Sequence, residues 1–154
     1  MKADKIIFAT GNAGKMKEIR MIMADLDIEV QSMKEAEIQA EIVEDGETFE
    51  ENAKIKAQAI AQELRARGEQ AVVLADDSGL EIDYLNKEPG VYSARYMGED
   101  TSYEIKNRNL IQRLSQAQGA ERAARFVCNI AAVLPDGQVL HTEATMEGVI
   151  AQEP

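Results

Sequence analysis

Cysteine, histidine and long apolar runs are scarce in this sequence, and each scarcity closes off a class of chemistry. One cysteine, Cys128, stands among 154 residues. It excludes an internal disulfide and suits a reducing compartment; its apolar surroundings read as burial. His141 is the only histidine. A histidine-rich metal site is thereby excluded, as is a nucleophilic triad, because no Ser or Cys has a suitable context beside it. His141 is read as structural or exposed. No apolar stretch is long enough to span a bilayer, and the run after Met1-Lys2-Ala3-Asp4-Lys5 is too short for a secretory h-region. The expected address is cytoplasmic, with no membrane partner. Basic residues are outnumbered, 17 against 28 acidic ones, for a net charge of −11. Duplex phosphates demand a basic face, so nucleic acid is not an expected partner either.

What is present reads as one soluble domain over residues 1–154, with 45% hydrophobic and 29% charged residues. Residues 6–9 form a short apolar strand, broken by Thr10-Gly11-Asn12. A helix follows over 13–24, with Met16, Ile19, Ile22 and Met23 on one face. Residues 28–33 read as a second strand, and 34–47 as an acidic loop with some strand. Thr48-Phe49-Glu50-Glu51 is a capping box, Thr48 the N-cap and Glu51 reaching back. Its helix carries Phe49, Ala53, Ala57, Ile60 and Leu64 on one face and ends near Gly68, where Arg65 and Arg67 suit the dipole. Residues 72–75 read as a buried strand, 79–84 as a half-buried one, and 86–90 as a turn. Thr101-Ser102-Tyr103-Glu104 is a second capping box, whose helix carries Leu110, Ile111 and Leu114 and stops near Gly119. Residues 124–134 and 138–150 form two strands around the hairpin signal Pro135-Asp136-Gly137. The order β-α-β-α-β-β-α-β-β is an α/β fold with a mixed sheet.

Asp76-Asp77-Ser78-Gly79 ends an apolar run. Two carboxylates and a hydroxyl there suit a hard divalent cation shared with substrate phosphates; an ordinary turn is the competing reading. Thr10-Gly11-Asn12-Ala13-Gly14-Lys15 lies between strand and helix, where glycines, a helix N-terminus and a lysine favour an anion. The same residues also make a turn with Asn12 as helix cap. It is not a Walker A loop, because two residues separate the glycines and Met16 stands where Ser or Thr holds Mg²⁺. Glu44, beside Asp45-Gly46, reads as solvated surface. Lys56 either points into a cleft or covers apolar surface. Arg95, within Tyr92-Ser93-Ala94-Arg95-Tyr96, either clamps a phosphate or pairs with a core carboxylate.

Together these segments resemble the inosine-triphosphate pyrophosphatase family. The matching stretches are Ala9 through Lys15 with Glu18, Glu47-Thr48-Phe49-Glu50-Glu51-Asn52-Ala53 with Lys56, Ala75-Asp76-Asp77-Ser78-Gly79-Leu80, and Pro89-Gly90-Val91-Tyr92-Ser93-Ala94-Arg95-Tyr96. The resemblance implies an elongated mixed β-sheet with flanking helices, two lobes around a nucleotide cleft, and a homodimer. The implied activity is Mg²⁺-dependent hydrolysis of non-standard purine nucleoside triphosphates (ITP, dITP, XTP) to monophosphate and pyrophosphate. Thr10, Gly11, Asn12, Ala13, Gly14 and Lys15 would cradle the triphosphate, and Lys56, Ser78 and Arg95 would touch substrate. Glu44, Asp76 and Asp77 would hold the metal, with Asp77 also the general base.

The resemblance further implies that the sequence stops before the family's base-reading residues, a Gly-Phe-Gly-Tyr-Asp-Pro segment, a lysine and a Ser-His-Arg. Poor discrimination between ITP and ATP is then expected. The alternatives are an impaired remnant acting as a binding or dimerisation module, and a related pyrophosphatase acting on modified pyrimidine nucleotides.

Overall fold

The tetrapeptide Asp76-Asp77-Ser78-Gly79 does not turn the chain. In the computed structural model, which describes residues 5–10 and 12–154, it lies inside one continuous strand, Val72–Ile82. Read as sequence, the stretch splits into two strands; the structure joins them. Val72, Val73 and Leu74 are locked in parallel register with Ile6, Ile7 and Phe8. Pairing in mid-sheet outweighs the turn preference of Asp, Ser and Gly, because strand formation depends on neighbours more than on intrinsic tendency.

The elements run β1 (Lys5–Phe8), α1 (Ala13–Met23), β2 (Glu29–Ser32), α2 (Phe49–Ala66), β3 (Val72–Ile82), α3 (Tyr103–Arg113), β4 (Ala123–Val133) and β5 (Val139–Val149). They build one open five-stranded sheet in the order β2-β1-β3-β4-β5. β1 pairs in parallel with both β2 and β3. β4 and β5 form the expected hairpin, closed by the Leu134 N–H donating to the Gln138 carbonyl at 2.9 Å; Gly137 supplies its positive φ of 90°. The sheet is therefore mixed, with helices flanking it. Residues 34–47 contain no strand: 34–37 are turn and the stretch to Glu47 is irregular or bent.

Caps decide where the helices begin. Asn12 Oδ1 accepts the Lys15 N–H at 3.1 Å and opens α1. Thr48 Oγ1 accepts the Glu51 N–H at 3.1 Å and opens α2. Glu51 reaches one residue further than a capping box requires and takes the Glu47 N–H at 2.7 Å. The start of α3 differs from expectation. Ser102 is its cap, accepting from Ile105 N–H, while the Thr101 hydroxyl donates to the Met97 carbonyl at 2.6 Å. α3 also ends early, at Arg113 with Leu114 as C-cap, and Gly119 opens a separate 3₁₀ turn.

The chain divides into two compact units, Met1–Asp77 with Asn129–Thr142, and Ser78–Cys128 with Glu143–Pro154. The first unit has a core on each sheet face. Ile7, Ala9, Val73, Ala75, Ala131 and Val133 meet Ala53, Ala57, Ile60 and Leu64 of α2 on one face. Phe8, with Leu74 partly buried, meets Met16 and Ile19 of α1 on the other. In the second unit Ile82, Leu85 and Ala124 pack on Leu110, Leu114 and Ala117. Buried Arg122 ties that unit's backbone together, donating to the carbonyls of Leu114, Ile150 and Ala151 at 2.7 to 2.8 Å.

Candidate active site

The two cores of the first unit dictate where its acids point. Side chains alternate across a strand. Val73 and Ala75 face α2, so Asp77 continues that face; Leu74 faces α1, so Asp76 continues the other. Each carboxylate then finds the lysine on its own side. Lys15, at the start of α1, places Nζ 2.8 Å from Asp76 Oδ2. Lys56, midway along α2, places Nζ 2.7 Å from Glu44 Oε1 and donates to the Asp76 carbonyl at 2.9 Å. The Lys56–Glu44 contact is an ion pair whose angles do not make it a hydrogen bond, since Glu44 Oε1 is buried without a hydrogen-bond partner.

Asp77 is the outlier. Its Oδ2 is buried and has no hydrogen-bond partner among the described residues. Burial, and next the negative charge of Glu44, push its carboxyl up to about 6, against a smaller opposing pull from Lys56 and Asn52. A carboxylate left bare and crowded by a second one in a half-buried place is a site for positive charge. Hard carboxylate oxygens suit a hard divalent cation, which needs only one or two of them when substrate phosphates complete its shell. Glu44 and Asp77 meet that requirement. Among the described residues no three His, Cys, Asp or Glu side chains form a ready ligand set.

The turn after β1 runs directly into the cap of α1 at its Lys15 end. Thr10 Oγ1 accepts the Asn12 N–H at 3.1 Å, Asn12 caps α1, and Ala13 and Gly14 are exposed in its first turn. Gly11 lies outside the described residues, as do the N-terminal positions 1–4. Thus Lys15, Lys56, Glu44, Asp76 and Asp77 come together within the first unit. Ser78 and Arg95 belong to the second. Ser78 is exposed on β3. The Arg95 guanidinium lies over the Tyr92 ring, 5.1 Å from the centroid.

One polar group escaped the sequence reading. Asn52 is 2% exposed on the apolar face of α2. The signal was there: it stands four residues before Lys56, beside Ala53. His141 is structural, its Nδ1 3.0 Å from Glu50 Oε1 and its Nε2 against Asn129 Oδ1.

Known proteins of similar sequence and shape bear on this arrangement. The Ham1 family matches residues 6–154. A dITP/XTP pyrophosphatase of Clostridium perfringens is 44% identical over 149 residues, spanning 96% of this chain and 73% of that protein. One from Bacillus subtilis is 41% identical, spanning 96% and 72%. The solved structure of the Staphylococcus aureus Ham1 protein superposes with a TM-score of 0.84 at 38% identity, covering 97% of this chain and 73% of that one. A HAM1 protein from Coxiella burnetii gives 0.85 at 35% identity, covering 97% and 74%.

Proposed function

The chain belongs to the Ham1 family, and from that premise we propose that it hydrolyses non-standard purine nucleoside triphosphates, ITP, dITP and XTP, to the monophosphate and pyrophosphate. The observation that carries the proposal is the buried, unpartnered Asp77 Oδ2 next to a lysine-bound glutamate. Relatives named dITP/XTP pyrophosphatase supply the substrate class.

Glu44 and Asp77 are the residues that would hold the metal, taken as Mg²⁺. When bound, such a cation offsets the charge on phosphate oxygens and acidifies water. Asp76 is assigned a different task from its neighbour: it holds Lys15. Asp77 Oδ2 accepts the proton of a water whose oxygen bonds to the α-phosphorus, while the α–β anhydride bond breaks. Lys15 and Lys56 steady the departing pyrophosphate, which carries the electron pair of that bond. A carboxylate is a weak base at neutral pH, so positioning and charge supply most of the rate. Thr10, Asn12, Ala13 and Gly14 line the triphosphate's approach at the N-terminus of α1. Ser78 and Arg95, which belong to the second unit, are carried as substrate contacts by the family reading alone. The same family reading carries a homodimer and a cytoplasmic address. No helix among the described residues is long and apolar enough to cross a membrane.

Pyrophosphate release from dITP, XTP, ATP and modified pyrimidine triphosphates, with Mg²⁺ and with chelator, tests this. Release from dITP and XTP that needs the cation and disappears in Asp77→Asn is expected. Turnover of Asp77→Asn at the parent rate overturns the assignment, and a parent active only on pyrimidine nucleotides overturns the substrate class.

A further inference from the structure

Asn52 is a primary amide sealed into the apolar face of α2, between the phenyl of Phe49 and the core alanines 53 and 57. Burying an amide is costly unless its groups are bonded. Its Oδ1 and Nδ2 both reach one residue that is itself close to the site, and its side chain also hydrogen-bonds the Asp77 carboxyl. Oδ1 accepts the Gly46 N–H at 2.8 Å, and Nδ2 donates to the Gly46 carbonyl over a longer 3.5 Å. Gly46 is fitted to this grip. A Cβ there would come within 2.7 Å of Glu51 Cβ and 2.8 Å of Asn52 Oδ1, so only glycine brings the backbone so near. One turn further along the same helix face, Lys56 takes the side chain of Glu44, two residues before Gly46. Positions four apart share a helix face, so α2 grips the acidic loop at two neighbouring points. The irregular stretch 38–47 has no strand or helix of its own to fix it.

We infer that Asn52 is a positioning residue, clamping Gly46 so that the Glu44 carboxylate is presented from a fixed point on α2. The inference deepens the hydrolase reading and rests on it for the link to turnover; the link to cation affinity does not depend on turnover. An Asn52 that merely stabilises the helix would lower the melting temperature and leave binding and rate per folded molecule untouched.

The test compares Asn52→Leu, Gly46→Ala and the double variant. Mn²⁺ affinity is measured by electron paramagnetic resonance without nucleotide, and kcat and KM with dITP and Mg²⁺. Mn²⁺ affinity should fall roughly 10-fold in each single variant, the usual scale for groups that orient ligands. The kcat should fall roughly 100-fold, with KM within about threefold of the parent, as expected for a displaced reacting group. Because both changes break one contact, the double variant should be no worse than Asn52→Leu. If Asn52→Leu does not fold, Gly46→Ala breaks the same contact with the amide still in place and decides alone. Parental Mn²⁺ affinity and kcat in a folded variant overturn the inference, as do additive effects in the double variant. A parent that binds Mn²⁺ but releases no pyrophosphate sinks the proposed function instead, and the Mn²⁺ comparison still decides the role of Asn52.

Discussion

Lys15 and Asp76 join the first helix to the middle of the sheet. The ammonium sits 2.8 Å from a carboxylate oxygen whose side chain is only 8% exposed, across 61 residues of sequence. This contact brings the turn after β1 to the acidic stretch of β3.

Lys15→Met should therefore act on binding more than on folding. It removes a cation from the turn proposed to hold phosphate, and kcat/KM for dITP should fall roughly 10- to 100-fold, mostly through KM. Lys15 is 43% exposed at its side chain, so the stability loss in urea should be about 1 kcal/mol after allowing for solvent screening. An unchanged KM would remove Lys15 from the substrate's path.

Asp77 ties stability to pH. Its carboxyl stands at about 6 in the folded protein against 3.8 ordinarily, raised first by burial and then by Glu44. The folded form thus holds the proton more tightly than the unfolded chain. That contribution is complete below about pH 4 and is lost as pH rises through about 6. In chelator, Asp77→Asn should be more stable than the parent above about pH 6, by about 1 kcal/mol once screening is discounted, and equal to it near about pH 4. Urea midpoints across this window check the sign. Glu44→Gln should lower the Asp77 carboxyl, read directly from its NMR titration.

Thr48→Ala removes the hydroxyl that accepts the Glu51 N–H. A lost N-cap costs about 1 kcal/mol, and chemical denaturation should show it. Thr101→Ala should cost less than Ser102→Ala, because Ser102 is the cap of α3.

Ile60 separates core stability from chemistry. It is 0% exposed between α2 and the sheet. Ile60→Ala should cost about 3 kcal/mol through lost burial and a residual cavity. The kcat per folded molecule should stay near the parent value at a temperature where the variant is folded. A collapse of kcat alongside intact folding would show that α2 is not a rigid frame.

Much of the fold was legible in residue patterns. β1, α1, α2 and the β4–β5 hairpin each carry their own local instruction: an apolar run, a 3.6-residue stripe, a cap, or a Pro-Asp-Gly turn. Asp76-Asp77-Ser78-Gly79 carried the wrong one, because its residues favour turns and only pairing with a distant strand keeps them extended. The same extended backbone turns Asp76 toward α1 and Asp77 toward α2, which the sequence alone does not show. Ser102 displaced Thr101 as cap although only Thr101 has a Glu three residues on, because the Thr101 hydroxyl is drawn to Met97 by the loop's own path. Asn52 stayed hidden because a lone polar residue on an apolar stripe looks like noise until Gly46, folded back from the preceding loop, supplies its partner.

The alignment of β3 on β1 reaches beyond packing. Three aliphatic and aromatic rungs, Ile6–Val72, Ile7–Val73 and Phe8–Leu74, decide which neighbour each acid will meet. A single inserted residue between Leu74 and Asp76 would rotate every downstream side chain by half a turn. Asp76 would take the place that Asp77 holds now, and Asp77 would turn to the face of α1 at the present place of Ser78, two positions past the one that meets Lys15. The hydrocarbon rungs are thus the spelling rule for the acids, and a shift of one rung would turn each to the opposite face without changing a charge.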